Sequence, residues 1–202
     1  LKMKRFMFFL VTATLCISFG ACASGTSKAR QALEQYIEAL KKSDFQTLYE
    51  LNSVTQRKVA LIYRGAEADR ENNLKNNFEE YKTLFNSIQG NEVSHAVWAE
   101  KFLFPSDSSY SIISISVEKD TESKTATFRK RMIARAEVKV SYPNRDTAPT
   151  YGEKQIKEAT YVGILISGED VVRGIQSKNI VSDWLFKNIN IKEDGITYWP
   201  AS

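Results

Sequence analysis

The chain has 202 residues, with 28 Lys or Arg, 24 Asp or Glu and a single His, for a formal net charge of +4. Lys2, Lys4 and Arg5 supply most of that excess: without residues 1–21, 25 basic residues face 24 acidic ones and the charge falls to +1. Nucleic-acid binding first requires a basic domain, so no nucleic-acid partner is expected. The remaining 181 residues suit one domain with a real core, and four prolines with no low-complexity tract argue against an internal linker.

The opening residues have three parts. Lys2, Lys4 and Arg5 are basic, Phe6 to Phe19 is uncharged and mostly apolar, and Gly20-Ala21-Cys22-Ala23-Ser24-Gly25 is small. That is the order of an export signal. The apolar run falls short of the ~20 residues that a membrane-spanning helix needs. Two processing routes compete. Ala21-Cys22-Ala23 fits an A-x-A site, with a cut after Ala23 releasing a soluble protein. Phe19-Gly20-Ala21-Cys22 resembles the signal of bacterial lipoproteins: an apolar residue, two small ones, then cysteine. The resemblance implies a diacylglyceryl thioether on Cys22, cleavage before it, and acylation of the freed amine, commonly with palmitate. Cys16 would leave with the signal, so Cys22 would be the lone thiol of an exported chain; lipidation accounts for it. Two or more acyl chains, at ~0.8 kcal/mol per buried CH₂, hold stably. Residues 1–21 are thus read as a lipoprotein signal peptide and 22–28 as a flexible Gly/Ser tether. Residues 29–202 form one domain.

The domain begins with helical patterns. Ala29, Leu33, Tyr36, Ile37 and Leu40 share one stripe, with charge opposite. Ser43 and Gln46 have capping-box spacing before Leu48, Tyr49 and Leu51. A third pattern takes Val59, Ile62, Tyr63 and Ala66. A fourth sets Leu74, Phe78, Tyr81, Phe85 and Ile88 on one stripe and stops at Gly90. Residues 93–104 fit helix or strand equally.

The second half alternates. Ile113, Ile115 and Val117 alternate with serines. Thr125 to Ser141 contains no Gly, Pro, Asn or Asp and reads as one long, curved strand. Its inner face would be Ala126, Phe128, Met132, Ala134, Ala136, Val138 and Val140, with a bulge or bend near Lys130. Its outer face would hold Thr127, Arg129, Arg131, Arg135, Glu137 and Lys139. "EATYVGILIS" is a further strand with a bend at Gly163, and Asp194-Gly195 signals a hairpin. Helices followed by antiparallel strands make an α+β layout.

"ALEQYIEALKKSDFQTLYEL", followed by the long strands, resembles the nuclear transport factor 2-like (cystatin-like) superfamily over residues 29 to about 191. The resemblance implies N-terminal helices packed on a curved antiparallel sheet, forming a cone with a pocket between them. Some members are isomerases or dehydratases; many only bind or assemble. The segment that carries an acidic base in the isomerase-like members is here "SVTQRKVALIYRG", basic and without a carboxylate, which argues against that catalysis.

Little else suggests chemistry. An unperturbed histidine titrates near ~6.5, so His95, the only histidine, is a candidate base or an ordinary surface or edge residue. One histidine and one acylated cysteine cannot complete a tetrahedral metal set, and no calcium loop, phosphate loop or nucleophile elbow occurs. Arg129, Arg131 and Arg135 form either an anion site or a solvated strand face. No catalytic residue, metal or cofactor is therefore assigned. The expected protein is a lipid-anchored envelope protein binding a small apolar ligand or an envelope partner. Tyr36, Tyr49, Met132, Ala134, Ala136, Tyr161 and Trp184 are the candidate ligand-binding residues. The alternatives are an isomerase- or hydrolase-type enzyme using His95 or a pocket acid, and a homodimeric assembly subunit. In a Gram-negative host, Ala23 after the cysteine resembles lipoproteins sent to the outer membrane, facing the periplasm.

Overall fold

A computed structural model describes residues 25–86, 102–119, 132–151, 154–167 and 184–191. Helix α1 covers residues 25–42, so its first turn takes in residues 25–28, placed in the tether by the sequence reading. It is followed by α2 (Phe45–Leu51), α3 (Ser53–Arg64) and α4 (Arg70–Asn86). Then come β1 (Ser109–Lys119), β2 (Met132–Ser141), the two-residue strands β3 (Thr150–Tyr151) and β4 (Lys154–Gln155), β5 (Glu158–Ser167) and β6 (Trp184–Ile191). Four strands form one antiparallel sheet in the order β1-β2-β5-β6, and β3-β4 is a separate small hairpin. The class is α+β.

The helical stripe of α1 buries as its spacing predicts. Ala29, Leu33, Tyr36, Ile37 and Leu40 are all buried. Fully burying a Leu, Ile or aromatic side chain contributes about 1.5–3 kcal/mol each, so this stripe is the main force seating α1 on the sheet. Its end corrects the expected capping box. Ser43 has φ 53°, the left-handed region, and donates its N–H to the Leu40 carbonyl, while the Asp44 N–H reaches the Ala39 carbonyl. That pair of bonds closes α1 as a Schellman turn. Ser43 therefore ends one helix, and Asp44 caps the next: its carboxylate accepts from the Thr47 N–H (3.2 Å) and hydroxyl (2.7 Å). Gln46 instead donates to Glu50, 2.5 Å away.

The sheet's inner face follows the alternation of β2. Ala134, Ala136, Val138 and Val140 are fully buried, and Met132 packs against them half-buried. On β1 the alternation slips. The pairing with β2 shifts between Ile112 and Ser114, so Ile112, Ile115 and Val117 face the core side while Ile113 is 55% exposed. One extra residue in a bulge flips the face of everything beyond it. A second shift lies between β5 and β6 at Ile164/Leu165. Gly163 on β5 sits under Leu33 of α1: a Cβ there would lie 3.3 Å from Leu33 Cδ1. The glycine lets the helix approach. A smaller buried cluster of Ile133, Ile164 and Ile166 occupies the opposite face. Ala126, Phe128, the bend near Lys130, Ile88, Gly90 and the Asp194-Gly195 hairpin lie outside the described residues.

Candidate functional site

The seven residues expected around a pocket meet in one hydrophobic cluster, six of them buried and Met132 packed at its margin. The Tyr36 ring stacks on Phe186 with centroids 3.9 Å apart and planes 14° from parallel. Tyr36, Ala134, Ala136 and Tyr161 have no accessible surface at all. A wall of a ligand-sized space would show some, so no water-sized space adjoins these four side chains. Tyr49 stands edge-on to Phe78 and Tyr81, with Asn77 donating to its hydroxyl at 2.5 Å. Burial pushes the Tyr49 phenol's pKa up, against the opposing pull of that hydrogen bond.

Two tyrosine hydroxyls meet inside the core. The Tyr142 hydroxyl donates to the Leu103 carbonyl (3.0 Å) and lies 2.6 Å from the Tyr161 hydroxyl. Burial first, then Tyr161, drives the Tyr142 pKa far above the ordinary phenol value, so it stays neutral. The pair ties the segment before β1 to β5 through the core. At the α1–β1 seam, Tyr110 is pushed up to about 12 by burial and by Glu38 and Glu34. Lys41 there donates to the Ser108 carbonyl at 2.6 Å.

An open groove of about 450 Å³ runs between α1 and α2, lined by Gln35, Glu38, Lys42, Asp44, Thr47 and Glu50 among others. Its carboxylates already have local partners. Glu38 pairs with Lys42 (3.5 Å), Asp44 holds Thr47, and Glu50 accepts from Gln46. Hydrogen bonds from the Thr47 side chain and backbone lower the Asp44 pKa. Carboxylates serving as caps and helix-face pairs in an open cleft are not poised for acid–base work, which wants a desolvated or mismatched group. Among the described residues no group of three His, Cys, Asp or Glu is placed to hold a metal.

A polar feature that hydrophobic patterning missed lies at the α2–α3 junction. Asn52 accepts from the N–H groups of Val54 (2.9 Å) and Thr55 (3.2 Å), capping α3, and bridges to Phe186 at the β6 edge. Thr55 and Gln56 both donate to the Tyr49 carbonyl. Asn52, Ser53, Thr55 and Gln56 are all buried, so the first turn of α3 is held by hydrogen bonds rather than by an apolar stripe. The asparagine followed by "SVT" was the one available signal, as a cap.

On the sheet's outer face Arg135 pairs with Glu118 (2.8 Å) and Lys139 with Glu158 (2.8 Å). Of the expected arginine row, Arg135 is thus neutralised; Arg129 and Arg131 lie outside the described residues, as do Cys16, Cys22 and His95. No helix among the described residues is long and apolar enough to cross a membrane. The fold and these sites define an α+β domain with an apolar interior. No protein-family model, no curated protein and no solved structure matches the chain.

Proposed function

We propose that this chain is a non-catalytic bacterial cell-envelope protein, anchored through lipidated Cys22, whose domain engages an envelope partner through its surface. The observation that carries the reading is the interior. The side chains nearest the sheet are packed against one another, and no charged side chain among the described residues is buried. An isomerase-type site needs a carboxylate raised by apolar enclosure, and the polar side chains buried among the described residues carry only phenol, indole, hydroxyl and amide groups. Binding then falls to the outer surface. We read the fold as the cone-like nuclear transport factor 2-like kind. Its support is a long helix, an Asp turn and a short helix before a sheet bulged at two places, since bulges curve a sheet. In a Gram-negative host Ala23 favours the outer membrane, facing the periplasm.

The anchor is tested by growing cells with labelled palmitate and weighing the intact mature protein. Label on the wild type, and an uncleaved or diverted precursor for Cys22→Ala, are the expected results. A mature, unmodified chain beginning at Ser24 would replace the anchor with ordinary secretion.

A further inference from the structure

We propose that the exposed face of α3 docks on an anionic phospholipid surface. Val54, Arg57, Lys58, Leu61 and Arg64 are the exposed positions of this helix, spaced i, i+3, i+4, i+7 and i+10, so they form one continuous stripe. The helix has three cations and no carboxylate. Lys58 reaches Glu80 of α4 at 3.7 Å, a loose pair with both side chains largely exposed, whereas Arg57 and Arg64 have no ion pair among the described residues.

Two aliphatic side chains sit between those cations. Val54 is 52% exposed and Leu61 50%, and the only other large hydrophobic exposed to this degree among the described residues is Ile113. Single exposed hydrophobics are ordinary. Two on one helix face, about 10 Å apart and flanked by unpaired guanidinium groups, make a surface suited to phosphate at the rim and acyl chain between. An acidic protein surface would use the cations but not Val54 and Leu61.

Chain length adds a second argument, which rests on the anchor reading above. From Cys22 to Gly25, the first described residue of α1, there are three peptide steps, at most about 11 Å. A domain held that close must present some face to the headgroups, and α3 offers one complementary to them in both charge and polarity. Juxtamembrane cations each favour an anionic surface by about fivefold, and the docked state weakens as salt rises.

The test places an environment-sensitive fluorophore on α3 in the full mature chain. Leu61→Cys gives one reactive thiol, because Cys16 leaves with the signal and Cys22 is either acylated or removed. On phosphatidylcholine–phosphatidylglycerol vesicles the label should shift to the blue and be quenched by lipids brominated on the acyl chain. On phosphatidylcholine alone, or at high salt, it should remain in water. Arg57→Gln with Arg64→Gln should lower the docked-to-free ratio about 25-fold. The same label at Thr147→Cys, tied to Asp107 beside the start of β1 at the sheet edge away from β6, should stay wet throughout. A Leu61→Cys label that stays in water on the anionic vesicles overturns the proposal. So does an equal shift at both positions, or a shift that needs added envelope protein rather than lipid. The mass of the same sample reports the lipid on Cys22 separately, so loss of the anchor and loss of docking are told apart.

Discussion

Replacing Ala136 with tryptophan distinguishes a packed interior from a ligand pocket. Ala136 is fully buried at the centre of the sheet, opposite Ile115 on β1 and Gly163 on β5. Gly163 is itself covered by Leu33, near enough that even a methyl group would press on it. An indole entering from Ala136 therefore meets α1 and has no free direction. Ala134 is in the same position one pleat away, opposite Val117 and Leu165, both packed in the same cluster.

Overpacking a filled core costs about 1–3 kcal/mol and occasionally more, and the lack of any accessible area here puts both variants at the upper end. For a domain of this size each kcal/mol lowers the melting temperature by about 2–4 °C, so each variant should melt about 6–12 °C below the wild type. Thermal melts followed by circular dichroism on the mature protein give the answer. A fall of less than about 2 °C in both variants, with side-chain signals retained, would refute the packed interior. It would restore the small apolar ligand as the function of this face.

Asp44→Ala should cost about 1 kcal/mol by removing the cap of α2, with Asp44→Asn losing less. The Asp44 pKa is lowered in the fold, so its contribution is complete above the unfolded value of ~3.9 and disappears as pH falls through the lower folded one. The stability gap between wild type and Asp44→Ala should thus be full at neutral pH and narrow in acid; a gap constant into strong acid contradicts it. Ser43→Gly should stabilise by about 0.5–1 kcal/mol in urea titrations, because Ser43 holds a positive φ that glycine adopts freely. Tyr142→Phe should cost about 1–3 kcal/mol, leaving the Leu103 carbonyl without its donor. Because Tyr142 stays neutral in the fold while an unfolded tyrosine ionises near ~10, wild-type stability should decline above that pH, less steeply in the variant.

The elements legible in the sequence are those whose periodicity coincides with burial. The span "EATYVGILIS" is β5 from end to end, and the Ala29 to Leu40 stripe is the buried face of α1. What escaped reading depends on partners distant in sequence. Nothing in "SIISIS" says which isoleucine is the extra one; the count of residues on β2 makes it Ile113. Gly163 suggests a bend on its own and becomes a seat for Leu33 only once α1 lies across it. Ser43 and Asp44 are both acceptable caps by type, and the backbone at Ser43 decides between them.

α3 departs furthest from its pattern, and in a direction with a consequence. Its sequence suggests an apolar stripe through Val59, Ile62, Tyr63 and Ala66. Ala66 falls beyond the helix end and is exposed, Ile62 and Tyr63 are half-buried, and the first turn's inward positions are Ser53, Thr55 and Gln56. Val59 and Ala60 are buried as well, so the helix faces inward through hydrogen bonds and apolar contact together, while Val54 and Leu61 stand outward among Arg57, Lys58 and Arg64. Local rules are broken most often where a surface serves something other than folding. Polar groups stand beside Val59 and Ala60 on the inner face, and two aliphatic side chains stand among the cations on the outer one. Those two exposed aliphatics among cations set α3 apart, as a membrane-contacting surface, from the acidic groove beside α1 and the ion-paired outer sheet face.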